Sequence, residues 1–128
     1  MTRNGSDGLR FGRIASALPV KDMARAQEFY LTVLGFEKVF ENSDSVGFMI
    51  LKWGEGELHL TLQPQHKAAR FNIAHLLVDH IDALHATCQK HGVRIIESLQ
   101  DKDYGLRAIV FEDPDGNRID VGQVFRAR

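Results

Sequence analysis

Apolar residues in this chain fall into short alternating runs interrupted by two helical stripes. The clearest alternation is Glu57-Leu58-His59-Leu60-Thr61-Leu62-Gln63. Its leucines form the core face of a strand, and Glu57, His59, Thr61 and Gln63 form the other. Ala26, Phe29, Tyr30, Val33 and Leu34 make the first helical stripe, with Asp22 as N-cap and Gly35 as the stop. Ile81, Leu84 and Cys88 make the second, opened by Val78-Asp79-His80 and ended by Gly92. Further strands are predicted at 13–18, 37–41 and 46–53 around the first helix, and at 72–78, 93–96, 106–111 and 118–124 around the second. Both halves therefore read β-α-β-β-β, an α+β pattern of two cupped mixed sheets with one helix each. The expected layout is one domain over 12–128, with modules at about 12–63 and 71–124, behind a loose polar tail at 1–11.

The last two strands are joined by Asp113-Pro114-Asp115-Gly116, which suits a type I turn: Asp first, Pro second and a Gly able to take positive φ. On the returning strand Asp120 alternates with Ile119 and Val121. A carboxylate placed there needs a partner. His59, at the matching place in the first half, and Arg107 are the candidates. Phe48 and Trp53 lie on opposite faces of their strand, one toward the helix and one toward the cleft. Phe111 shares a face with Arg107 and Ile109.

Composition narrows the function. The chain has 128 residues, 44% hydrophobic and 26% charged, with a formal net charge of −1. It has no basic excess to attract nucleic acid and no apolar run long enough for a membrane span. The polar N-terminus lacks the apolar core of a signal peptide, so a cytoplasmic protein is expected. Cys88 is the single cysteine, which rules out a disulfide framework within one chain. Its place on the apolar stripe points to core packing.

Val20-Lys21-Asp22-Met23, Glu28-Phe29-Tyr30, Val33-Leu34-Gly35-Phe36-Glu37 and the run from Phe111 to Asp120 together resemble the vicinal oxygen chelate superfamily. That group includes glyoxalase I, bleomycin resistance proteins, fosfomycin-modifying transferases and extradiol dioxygenases. Leu34-Gly35-Phe36-Glu37, Tyr104-Gly105 and Asp113-Pro114 are most similar to the bleomycin resistance branch, which implies a small homodimeric antibiotic binder without a metal. In the superfamily's metal enzymes, ligands stand on the first and last strand of each half. Carried onto this chain, those positions are Ala15, His59, Ile73 and Asp120, and neither Ala15 nor Ile73 can hold a metal. His75, two residues beyond Ile73, could join His59 and Asp120 after a register shift.

The expected function is metal-independent sequestration of an aromatic or cationic small molecule, with no cofactor. His59, Thr61, Asp120, Trp53 and Phe111 are expected to line the cleft, and His75 and Arg107 to add contacts. The alternative is a lyase, isomerase or thiol transferase dependent on a divalent metal such as nickel, zinc, manganese or iron, held by His59, His75 and Asp120.

Overall fold

The computed structural model describes residues 8–42 and 45–125. Most of the expected tail, and Ser43 and Asp44 of the expected loop at 41–44, lie outside the described residues. The first sheet contains β1 (Ser16–Val20), β2 (Glu37–Glu41), β3 (Phe48–Trp53) and β4 (Gly56–Leu62) in the order β1-β4-β3-β2. The second contains β5 (Asn72–Leu77), β6 (Arg94–Asp101), β7 (Leu106–Glu112) and β8 (Arg118–Val124) in the order β5-β8-β7-β6. In each sheet the first strand runs parallel to the last, and the remaining pairs are antiparallel. This is the two-module α+β architecture that the internal repeat predicts. The edge strands β1 and β5 approach one another where the modules meet.

One helix accompanies each module. α1 (Met23–Gln27) begins at Asp22, whose carboxylate accepts the Arg25 N–H at 3.0 Å. α2 (Ile81–Lys90) buries Ile81, Leu84 and Cys88. These side chains join Leu18, Met49, Leu51, Leu58, Leu60, Ile109, Ile119 and Val121 in one continuous core. Cys88 is fully buried, and loss of solvation pushes its thiol up to about 11. The thiolate is the reactive form. Native protein at pH 8 should therefore leave Cys88 unmodified by iodoacetamide over hours, with rapid alkylation only after denaturation; fast native alkylation would contradict this packing.

Three elements depart most from the expected bounds. The first strand starts at Ser16 rather than at 13, leaving residues 9–15 outside any helix or strand and largely exposed. β6 runs on to Asp101, with two register shifts against β7. The single first helix becomes α1 followed by a π-helix, Glu28–Val33. There the Leu34 N–H donates to the Phe29 carbonyl at 3.2 Å, an i→i+5 bond. Apolar periodicity cannot separate this wider coil from an α-helix. The wider turn lets adjacent Phe29 and Tyr30 both pack inward, with their rings edge to face at 5.0 Å.

The Asp113–Gly116 turn forms as expected. The Gly116 N–H donates to the Asp113 carbonyl at 3.0 Å, and Gly116 takes φ +82°. The turn also clasps the two modules together. The buried Asp113 carboxylate accepts the Tyr30 hydroxyl at 2.7 Å, the Asp115 and Asn117 N–H groups at 2.9 Å each and the Asn117 amide at 3.0 Å. Asn117 also donates to the Pro19 carbonyl at 2.9 Å. Asp115, fully buried, accepts the Lys21 N–H at 2.8 Å and Arg25 at 2.9 Å. Tyr30 is thus enclosed, and Arg25 reaches from α1 to the turn of the second module.

Candidate functional site

The helix-free face of the first sheet follows from strand parity. β3 and β4 pair Ile50 with His59 and Phe48 with Thr61, while β2 sets Phe40 beside Ile50. Leu58, Leu60, Met49 and Leu51 point the other way into the core. Three rings therefore run across neighbouring strands: Phe40 to Phe48 at 6.2 Å between centroids, and Phe48 to His59 at 5.4 Å and 79°. Phe40 is half exposed. An aromatic surface left open in this way can take a flat ligand by stacking. The His59 Nε2 lies 2.7 Å from Glu57 Oε2, and Arg13 donates to the other Glu57 oxygen at 3.0 Å. The bond to His59 first, and Arg13 second, hold the Glu57 carboxyl below its usual range.

On the second sheet, β5 sets His75 directly beside Asp120. His75 Nδ1 and Asp120 Oδ2 are 2.8 Å apart. Asp120 thus has a partner, as a carboxylate in that strand requires, but it is neither His59 nor Arg107. Arg107 is on the opposite face, bonded to Asp101 at 2.7 Å and 3.7 Å from Asp82 of α2. Lys102 Nζ donates to Glu97 at 3.1 Å. Its bond to Glu97 is the main cause of its raised pKa, and the Asp120 charge adds to it.

Two expected lining residues do not reach these faces. Phe111 is 1% exposed and sits in the core opposite Ile119. Trp53 lies on the helix side of β3, edge to face with Phe36 at 5.7 Å. Of the two aromatic residues that parity assigned to opposite faces, Phe48 is the one beside His59 and Thr61. Phe40 joins this face beyond a register shift in β2 between Lys38 and Phe40, which resets the parity of the strand. His66 also gains a place, with its Nε2 3.0 Å from the Asn117 side-chain oxygen.

The register also moves the first-strand positions. Ala17, not Ala15, pairs with His59, and His75, not Ile73, pairs with Asp120. His75 needs no register shift to stand by Asp120. Even so, a divalent site normally needs three converging protein donors. Among the described residues no three His, Cys, Asp or Glu side chains converge in this way. His59 is engaged by Glu57, and His75 by Asp120.

A sequence profile of the Glyoxalase/Bleomycin resistance protein/Dioxygenase superfamily matches residues 10–121. The chain belongs to this superfamily. Members of known structure share its architecture. The bleomycin resistance determinant encoded on transposon Tn5 is 25% identical, with a TM-score of 0.76 over 89% of this chain and 98% of that one. A bleomycin-binding protein complexed with bleomycin is 25% identical, with a TM-score of 0.74 over 88% and 98%. TnmS3, an antibiotic binding protein from Streptomyces sp. CB03234, is 24% identical, with a TM-score of 0.75 over 91% and 98%, and shares the fold. No curated protein matches the chain. Among the described residues no helix is long and apolar enough to cross a membrane.

Proposed function

We propose that this superfamily member sequesters an aromatic or cationic antibiotic-like molecule on its helix-free sheet faces, without a metal and without chemical conversion. The observation that carries the reading is the open ring row Phe40–Phe48–His59, flanked by the Glu57 carboxylate. The likeness to a bleomycin-binding protein supports it. Stacking would hold a flat body, and Glu57 and Asp120 would favour a positive substituent. Sequestration needs tight binding only, so no nucleophile or acid–base pair is required. His75 and Asp120 contribute a polar, hydrogen-bonding edge on the second sheet.

The same reading makes the protein a cytoplasmic homodimer, with the open faces closed by a second copy. Phe11 and Ile14, each 92% exposed, and the exposed Phe71, Leu77 and Val124 supply apolar surface for that contact. Sedimentation velocity should give twice the chain mass. Titration with bleomycin and a panel of aromatic and cationic antibiotics should raise the melting midpoint. The rise should be about 5 °C or more for a ligand at a hundredfold excess over its Kd. No shift with any of them would contradict the binding reading, and a monomer at micromolar concentration would contradict the dimer.

A further inference from the structure

We propose a second ligand site on the helix side of the molecule, selective for a hydrophobic cation and separate from the open sheet faces. A cavity of about 620 Å³ lies between the end of the π-helix, the β3–β4 turn, the end of β5 and the first half of α2. None of Phe40, Phe48, His59, Thr61, His75 or Asp120 lines it, and Leu77, which also belongs to the proposed dimer contact, is shared at its rim. Its volume is in the range that encloses drug-sized ligands.

The walls define the chemistry of the occupant. Leu34, Leu76 and Leu84 form an apolar floor, and Phe36 and Trp53 meet edge to face at 78°. Phe36 is buried whereas Trp53 is half exposed, so the indole still has surface to offer. An indole face is the best side-chain partner for a cation. The ionisable lining groups are Glu55, Asp79 and His80, with no lysine or arginine among them. His80 is tied to Asp79 at 3.1 Å, and both carboxylates are at exposed positions.

The start of α2 would ordinarily favour an anion. Here the Ile81 N–H is already taken by the Gln123 side-chain oxygen at 2.8 Å. Carboxylates and an aromatic face therefore outweigh the helix end, and the complementary ligand is an apolar body carrying positive charge. The β3–β4 turn is packed closely against β5: a Cβ at Gly56 would come within 3.2 Å of Leu76. Trp53 and Glu55, on the same turn, line the cavity.

Trp53 is the single tryptophan, so its fluorescence reports on this cavity. Tetraphenylphosphonium and tetraphenylborate, nearly equal in shape and opposite in charge, are the probes. The cation should quench Trp53 saturably, and the anion should bind at least ~10-fold more weakly. Ala83→Phe, at an exposed helix position on the cavity wall, should weaken the cation by ~10-fold while leaving circular dichroism unchanged. The surface double variant Glu55→Gln/Asp79→Asn, which needs no repacking, should weaken it by about threefold and flatten its salt dependence. Phe48→Ala, on the open face, should leave this quenching within about twofold. The proposal is overturned by absence of saturable quenching, by equal affinity for the two ions, or by folded variants that bind like wild type. Loss of quenching in Phe48→Ala would equally overturn it, by assigning the probe to the open face. Failure of antibiotic binding on that face would leave the cavity result standing.

Discussion

Replacing Asp113 with alanine should lower stability by about 3 kcal/mol, because buried donors lose their acceptor and each costs roughly 1–3 kcal/mol when left unpaired. The Tyr30 hydroxyl, the Asn117 amide and two backbone N–H groups all converge on this carboxylate. Tyr30 brings the π-helix of the first module to the β7–β8 turn of the second, and Asn117 ties the same turn to β1 through the Pro19 carbonyl. A chemical denaturation curve should show a lower midpoint with little change in slope, and a drop within about 0.5 kcal/mol of wild type would contradict the clasp.

The pH dependence carries a second signature. Burial, acting against the hydrogen bonds it receives, raises the Asp113 carboxyl above its ordinary value of 3.8. Below that raised value, and down to 3.8, the folded state binds more protons than the unfolded state at this site. This contribution to stability therefore grows as the pH falls through that window and is lost as it rises. The deficit of Asp113→Ala relative to wild type should accordingly widen on acidification across the same window.

The second large effect belongs to the open face. Phe48→Ala removes the middle ring of the row and should weaken binding of an aromatic ligand by ~10-fold or more, while costing at most about 1 kcal/mol of stability. The reason for the separation is exposure: Phe48 is only partly buried, whereas Leu58 and Leu60, on the other face of the neighbouring strand, are core. Calorimetric titration of both proteins with the same ligand measures it. Equal affinities would remove the ring row from the site.

Alternation and turn chemistry, together with the resemblance to the superfamily, made the fold legible. β4 and β8 lie within a residue of where the period-two runs place them, and the two helix stops fall at glycines of positive φ, Gly35 and Gly92. Parity likewise put His59 and Thr61 on the open face. It could not say which of Phe48 and Trp53 joined them, because both faces of β3 carry large apolar residues. It also linked Asp120 to His59, since pseudo-symmetry suggests correspondence between halves but carries no distance. The actual partner, His75, is a neighbour across a parallel pair whose register is set by a shift between Asn72 and Ala74. The Tyr30–Asp113 bond spans the two modules, and nothing local to either residue announces it.

The central claim is tight small-molecule binding by the protein alone. Isothermal titration of chelator-stripped protein with bleomycin and the aromatic and cationic panel, in buffer containing EDTA, addresses it directly. The account predicts saturable binding of at least one ligand, unchanged when nickel, zinc, manganese or iron(II) replaces the chelator, with no ligand converted to product. Binding or turnover that appears only after a divalent metal is restored would contradict it.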